Sequence, residues 1–156
     1  MKKLVLMLCI FMLPLTLASD TQHRFKVCVQ VGGNNKQVNN LIFNRLTRQL
    51  RLLEDVDVVG LLENWKYIIA VSTKEVILKD GTKTGRFAIA HNFHEKVPGD
   101  FLRVNLKIHP HAAVYFAVPG VSVWNRDNLH EYCISLVSNF EEDKLEMPRL
   151  LYKTRQ

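Results

Sequence analysis

Two segments of this sequence each carry a single apolar stripe at helical spacing, and this feature most constrains the fold. In residues 36–54 the stripe consists of Val38, Leu41, Ile42, Leu46, Leu50 and Leu53. A segment near the end repeats the pattern at Leu129, Cys133, Leu136, Val137 and Phe140. A helix with one apolar stripe buries it against one neighbouring layer, so we expect both helices to lie on the same face of one sheet.

Most of the other apolar segments alternate with a period of two or are rich in β-branched and aromatic residues, which predicts strands. Residues 24–31 alternate from Phe25 onward, and residues 101–109 alternate as closely. Further strands are predicted at residues 55–60, 65–78 and 85–94, the last two joined by a hairpin turn at residues 79–81.

This order of elements predicts an α+β two-layer sandwich with a mixed, mostly antiparallel sheet and two helices on one face, in the order β-α-β-β-β-β-α. Asn34 and Asn35 are expected to cap the first helix, and Asn125 or Asp127 the last. A short apolar run at residues 112–118 is expected to end in a turn at Pro119-Gly120. The strand pattern leaves the second sheet face comparatively polar, and a partner is expected there or along an edge.

The first nineteen residues have the layout of a secretory signal peptide. Lys2 and Lys3 precede an unbroken apolar run at residues 4–13, and Pro14 separates that run from the small residue Ala18. The run is shorter than the roughly 20 apolar residues that a permanent bilayer crossing needs. We therefore expect residues 1–19 to be cleaved, no transmembrane helix to remain, and the product to be periplasmic or secreted.

Cys9 is the only candidate for a lipidated cysteine in this leader, but it lies in the middle of the apolar run, which favours a cleaved, unlipidated product. The rest of the chain is expected to form one domain over residues 20–140 and a charged tail over residues 141–156. Pro148 is expected to halt any long helix in this tail, although its leucines could still dock it to the body.

The positive charge of the chain is mild. The formal net charge is +6, and it falls to about +4 when Lys2 and Lys3 leave with the leader. No stacking aromatic residues accompany the arginines, so we expect no nucleic acid partner. The cations form two rows, Arg45, Arg48 and Arg51 on the first helix and Arg103 and Lys107 on one strand. These rows could bind an acidic protein, a cell-wall polymer or anionic lipid. The alternative is that they form a solvated surface.

Two cysteines remain after the leader is removed, and in an oxidising compartment they are compatible with one disulfide. Cys28 alternates with the apolar residues of its strand, whereas Cys133 lies on the apolar stripe of the last helix. If that helix packs on the apolar strand face, the two sulfurs point to opposite sides and cannot meet. The pattern therefore favours a buried free thiol at Cys133 over a Cys28–Cys133 bridge.

Other residues suggest chemistry only weakly. His109 and His111 could present two imidazoles to zinc or copper, but Pro110 lies between them and no third ligand is evident. The turn at residues 32–36 could hold an anion on its backbone N–H groups, but the pattern favours a plain glycine turn with an asparagine cap. No catalytic motif is present, and we expect neither a resident metal nor a cofactor.

The element pattern resembles a group of bacterial envelope domains. These are the amino-terminal domain of TolB, the curli-secretion lipoproteins and the outer-membrane activators of penicillin-binding proteins. The resemblance rests on residues 25–31, 38–53, 65–78 and 129–140. It implies a non-catalytic module that docks onto other envelope proteins.

The sequence thus favours an exported, single-domain binding or assembly protein that acts through contacts with an envelope or secreted protein. Two alternatives remain open. One is a secreted binder of a small ligand or metal that uses two histidine pairs, His91 with His94 and His109 with His111. The other is a hydrolase with a site that no motif reveals. The pattern leaves the oligomeric state undetermined.

Overall fold

The computed structural model describes residues 23–96 and 118–154. Several predictions concern residues outside these ranges: the leader at residues 1–19, the strand at residues 101–109, and the site residues Arg103, Lys107, His109 and His111.

The described elements alternate in the predicted order, which confirms the α+β class. They are β1 (Phe25–Gly33), α1 (Lys36–Leu50), β2 (Val56–Val59), β3 (Tyr67–Ile77), β4 (Lys83–Glu95), β5 (Val118–Asn125), α2 (Leu129–Phe140), a π-helical segment (Glu141–Leu145) and α3 (Glu146–Lys153). None of the helices in the described ranges has the length and apolar content that a bilayer crossing requires.

The strands form one mixed sheet in the order β2-β1-β3-β4-β5. β1 pairs in parallel with β2 and with β3. The longer ladders, between β3 and β4 and between β4 and β5, are antiparallel. α1 is the crossover between the parallel strands β1 and β2, because parallel neighbours cannot be joined by a tight turn.

The core lies between one face of this sheet, the inner face, and helices α1 and α2. The α2 stripe is buried throughout, as are Val38, Ile42, Leu46 and Leu50 of α1. They pack in one cluster with the inner-face strand residues Val27, Ile69, Ile89 and Phe93. Burying a side chain of this kind stabilises the fold by about 1.5–3 kcal/mol. The prediction that both helices share one sheet face is confirmed.

The turn between β1 and α1 is held by side-chain hydrogen bonds. The backbone N–H of Val38 donates to Asn35 Oδ1 over 3.1 Å, which confirms an asparagine cap. Asn39 Nδ2 donates to the Gly33 carbonyl at 3.0 Å, and the Thr73 hydroxyl donates to Asn39 Oδ1 at 2.6 Å. Gly33 has a φ of 142°, and a Cβ there would overlap Thr73, so glycine is required.

The prediction of a turn at Pro119-Gly120 is wrong, because strand β5 runs through both residues. Pro119 pairs with Asn92 and Gly120 with His91 of β4. β5 is the last strand in the described sheet order, where a proline without an N–H is tolerated. The strand continues to Asn125, and α2 begins after Asn128 without a side-chain cap, so the predicted caps are also wrong.

The tail is helical, and Pro148 does not halt it. The N–H of Glu146 donates to the Glu141 carbonyl five residues back, which makes the wide π turn. Pro148 is the third residue of α3, where the backbone N–H has no partner within the helix. Leu145, at the end of the π turn, is fully buried. The predicted end of the domain at residue 140 therefore falls at the end of α2, where the helical backbone continues through the π turn into α3.

A row of aromatic rings crosses the inner layer from β5 to the start of β1. Consecutive ring centroids lie 3.8–6.3 Å apart. The row consists of Trp124, Tyr132, His91, Phe93, Phe140, Tyr67, Phe25, Tyr152 and His23. Edge-to-face pairs of this kind add to the free energy of burial. The row connects α2 and α3 to the strands beneath them.

Arg149 joins α3 to the turn before β2. Its guanidinium donates to both carboxylate oxygens of Asp55, at 2.6 and 2.7 Å, and to Glu141 at 2.5 Å. Arg149 and Asp55 are 27% and 17% exposed, so water screens the pair only partly. The hydrogen bonds from Arg149 lower the pKa of Asp55. The pair links residues 94 positions apart in the chain.

We expect Arg149→Ala to destabilise the protein by about 1–3 kcal/mol at pH 7, because Asp55 loses its hydrogen bonds while still half-buried. Since folding lowers the Asp55 pKa, the native pair stabilises at neutral pH and its contribution disappears as pH falls through that lowered pKa. Urea unfolding from pH 7 to pH 3 measures both effects. Lys153→Ala, on the same helix, is the control; equal acid sensitivity in the two variants would contradict the assignment.

We expect Gly120→Ala to destabilise by about 1–3 kcal/mol, because the new Cβ would overlap the His91 ring across the strand pair. Gly32→Ala is a matched control, since a Cβ there meets no atom within 4 Å. His91→Ala should remove the obstacle, so the double variant should be more stable than the sum of the single effects predicts. Chemical denaturation of the wild type, the two single variants Gly120→Ala and His91→Ala, and the double variant measures the coupling between the two positions. Strict additivity of the stability changes would refute the contact.

Candidate interaction surface

The outer face is the side of the sheet away from α1 and α2. It is formed by the strand residues that alternate with the core. Its members are Lys26, Cys28 and Gln30 of β1, Ile68, Ala70, Ser72 and Lys74 of β3, Arg86, Ala88, Ala90, Asn92 and His94 of β4, and Val121 and Val123 of β5.

A shallow trough crosses the middle of the outer face. Its volume is about 350 Å³, and its lining includes Gln30, Ala70, Ser72, Ala90 and Asn92. The trough exists because the central residues of β3 and β4 are small, which lets another surface approach the backbone closely.

A ridge of two valines borders the small residues. Val121 and Val123 are 78% and 60% exposed. They lie directly opposite Ala90 and Ala88 of β4. Large aliphatic side chains beside small ones give this surface relief, and exposed apolar side chains next to each other are typical of a surface that binds another molecule.

The charge of the outer face is predominantly positive. Lys26, Lys74 and Arg86 are exposed, and none of them has an ion pair within residues 23–96 and 118–154. Asp57 pairs with Lys26 in the sheet register and contributes a carboxylate, which Arg24 neutralises at 2.6 Å. Lys26 lies in a depression that Asp57 and Glu63 also line, so Lys74 and Arg86 are the cations that the face offers to a partner with acidic groups.

A second depression of about 550 Å³ lies at the β2 edge of the sheet. Arg24, Lys26 and Arg51 line it together with Glu54, Asp57 and Glu63. Arg24 also donates to the Glu54 carbonyl at 3.0 Å. Because three cations and three carboxylates line it, this depression selects neither an anion nor a cation.

The predicted arginine row does not share one environment. Arg48 and Arg51 are exposed, whereas Arg45 is half-buried and its Nη1 is buried without a hydrogen-bond partner among the described residues. The positive charge of Arg45 acts on Cys133, which places this arginine toward α2. Partner binding by Arg45, Arg48 and Arg51 remains a prediction.

The histidines of β4 lie on opposite faces. His91 is on the inner face, where Tyr132 Oη lies 3.5 Å from its Nδ1 and burial lowers its pKa. His94 is an outer-face residue. The described part of the chain contains no group of three or more histidine, cysteine, aspartate or glutamate side chains placed to hold a metal ion.

Cys28 and Cys133 are both buried free thiols. Cys28 lies on the outer face between Val59 of β2 and Ile68 of β3. The sulfur of Cys133 lies 4.0 Å from the Ile42 carbonyl in the core. Burial raises the pKa of both thiols, that of Cys133 to about 12, so neither is a ready nucleophile.

Sequence reasoning predicted an exposed sheet face but missed the trough and ridge. The small residues Ala88 and Ala90 lie within a strand that was predicted. Val121 and Val123 were missed because Pro119-Gly120 was interpreted as a turn. The β-branched and aromatic residues Val121, Val123 and Trp124, which favour strands, were the signal that could have revealed β5.

We expect the chain without residues 1–19, purified without reductant, to carry two free thiols at residues 28 and 133. Native labelling with a thiol reagent should be at least about 100-fold slower than labelling in denaturant, because both sulfurs are buried and protonated. Intact mass spectrometry after alkylation in denaturant counts the thiols. A product that has lost two hydrogens and takes up no label would instead establish the disulfide.

Comparisons with known proteins show weak structural similarity alone. No protein-family model matches the chain, and no curated protein does. Among solved structures, a PelC dodecamer from Paraburkholderia phytofirmans is 13% identical, covers 77% of this chain and 86% of that chain, and has a TM-score of 0.40. A DUF330 protein from Xanthomonas campestris is 7% identical over 74% and 82%, with a TM-score of 0.41.

Rare lipoprotein B from Shewanella oneidensis is 10% identical over 78% of this chain and 98% of that chain, with a TM-score of 0.30. All three neighbours are bacterial proteins, and one is a lipoprotein. The TolB, curli-secretion and activator types are not confirmed by these comparisons. Similarity at this level transfers no function to the chain.

Proposed function

We propose that this chain is an exported, non-catalytic binding module that holds an acidic protein partner on the outer face of its sheet in the bacterial envelope. The observation that carries the proposal is the juxtaposition of the trough and the valine ridge with the exposed cations Lys74 and Arg86. The apolar relief supplies burial, and the cations supply orientation and faster association.

The shape of the outer face favours a protein over a small ligand. Small-ligand sites are deep enough to enclose most of the ligand and contain a few convergent polar groups. The trough is shallow, so Gln30, Ser72 and Asn92 line it without enclosing a ligand, and the exposed valines stand beside it rather than around it. A broad partner surface can contact the valines and the cations at the same time.

Export is supported by the leader pattern. Lys2, Lys3 and the apolar run at residues 4–13 have the composition of a signal peptide. A mildly basic module outside the cytoplasm is suited to acidic partners. Screening at physiological ionic strength limits the electrostatic attraction between the two proteins to short range. The proposal therefore needs close contact at the outer face rather than long-range attraction.

Photocrosslinking in intact host cells tests the proposal. A benzoylphenylalanine replacing Val123 should form a discrete adduct with one acidic protein, because this position lies on the ridge. The same probe at Ile134, which is 42% exposed on α2, is the control and should form no such adduct. Equal adducts at both positions, or none at residue 123, would refute an outer-face partner.

Charge reversal tests the cations separately. Lys74→Glu with Arg86→Glu should reduce the residue-123 adduct about fivefold, because like charges then oppose an acidic partner. Lys36→Glu with Lys153→Glu makes the same charge change on α1 and α3, away from the outer face, and should leave the adduct unchanged. If both pairs reduce it equally, net charge rather than the outer face is responsible.

A further inference from the structure

His91 lies beneath the valine ridge, on the inner side of the strand pair that carries it. His91 is paired in register with Gly120, the residue directly before Val121. A Cβ on Gly120 would overlap Cε1 and Nε2 of His91, so the imidazole fills the space that a side chain at residue 120 would occupy. The ring therefore packs on the backbone of β5 from the side opposite to the ridge.

Aromatic side chains enclose the rest of the imidazole. Tyr132 Oη, from α2, lies 3.5 Å from Nδ1 of His91. The ring centroid of Phe93 lies 5.6 Å from that of His91, and the centroid of Trp124 of β5 lies 5.6 Å from that of Tyr132. We call Trp124, Tyr132, His91 and Gly120 the His91 cluster. It joins β5 to α2 across the inner layer.

The position of the ridge depends on this cluster. From residue 120 onward, the inner side of β5 consists of Gly120, Ser122 and Trp124, so Trp124 alone brings a large apolar surface to the core layer. In the described sheet order β5 is an outer strand beside β4. An outer strand with few buried side chains opens locally at a lower free energy than the centre of a sheet. Loss of the cluster would therefore displace Val121 and Val123.

No carboxylate faces the His91 ring from the described elements packed against it. α2 contributes Tyr132 and Cys133, and burial raises the pKa of both, so they are neutral at pH 7. α1 brings Arg45, a cation that acts on Cys133. β5 contains no ionisable side chain, and β3 places Val71 opposite the ring. Protonated His91 would be a cation without a compensating anion, and burial lowers its pKa accordingly.

We propose that protonation of His91 releases the valine ridge, so that the outer face binds its acidic partner less tightly as the pH falls. This inference rests on the function proposed above. A neutral imidazole fits between Gly120 and Tyr132. An imidazolium gains free energy by moving toward water, and that movement separates β5 from α2.

The sign of the effect follows from linkage. The packed state lowers the pKa of His91 below the ordinary value of 6.5, so the packed state binds the proton less readily than the opened state does. The packing is therefore fully stable above about pH 6.5 and loses stability as the pH falls from that value through the lowered pKa. Because coupling is reciprocal, a partner that selects the packed ridge also holds His91 neutral.

The direction of the change distinguishes His91 from a histidine of the outer face. A proton on His94 would add a cation to that face and strengthen its attraction to an acidic partner, which is the opposite effect. Ordinary carboxylates and lysines keep their charge between pH 7.5 and pH 5.5. Weaker binding in this range is therefore the signature of the His91 cluster.

Photocrosslinking at controlled pH tests the coupling. The benzoylphenylalanine probe at residue 123 is irradiated in permeabilised host cells buffered at pH 7.5 or pH 5.5. We expect the adduct yield to fall at least about threefold at the lower pH. In His91→Gln the yield should be equal at both pH values, because residue 91 no longer titrates. His130→Gln removes an exposed histidine of α2 and should leave the pH dependence unchanged.

A fluorine probe within the cluster gives a readout that needs no partner. The chain has two tryptophans, Trp65 and Trp124, and 5-fluorotryptophan labels both. Trp124→Phe assigns the two resonances. In the chain without residues 1–19 we expect the Trp124 resonance to shift with a midpoint below pH 6.5. The shift should be absent in His91→Gln and in His91→Phe, the second of which keeps an aromatic ring at the site.

The possible results separate this inference from the proposed function. An adduct of equal yield at both pH values would overturn the inference and leave the partner on the outer face in place. A pH dependence that persists in both His91 variants would overturn it as well, as would a Trp124 resonance that does not respond to pH. Absence of the residue-123 adduct at pH 7.5 would refute the proposed function, and this inference with it.

Discussion

The packing of the α1 stripe on β1 is the contact on which the rest of the structure depends. β1 is parallel to both of its neighbours, and parallel strands need a covered face because their crossover connection lies on it. α1 is that crossover, and Val38, Ile42, Leu46 and Leu50 cover the inner face as it returns to β2. α2 then extends the same layer over β4 and β5. The polarity of the outer face follows from this arrangement, since all the apolar residues that pack with the helices lie on the other side.

Much of the fold could be predicted because its signals are local. The stripe of each long helix and the alternation of β1 are periodicities that a sequence displays without its partners. β5 could not be predicted in the same way, because Pro119-Gly120 resembles a turn and is extended only through pairing with Asn92 and His91. The end of α1 was placed at residue 54 rather than Leu50 because Leu53 continues the stripe beyond the helix.

The candidate surface could be predicted only in outline. Alternation indicates that a strand has a second face, but the trough depends on which small residues become neighbours across β3 and β4. Helical spacing likewise indicated that Arg45, Arg48 and Arg51 share a side of α1. It could not indicate that Arg45 is half-buried while Arg48 and Arg51 are exposed, because that depends on how the neighbouring elements pack against α1.

The single wide turn at Glu141–Leu145 sets the rotational phase of everything that follows it. Each residue of a helix advances the chain by about 100°, so the lengthened turn decides which side chains of α3 face the sheet. Deleting one residue there would rotate α3 by about 100°, which moves Arg149 away from Asp55 and places Leu150 in the position that Arg149 held. The number of residues in this short segment therefore decides which side chains of the C-terminal helix face the sheet, although the sequence of the helix itself is unchanged.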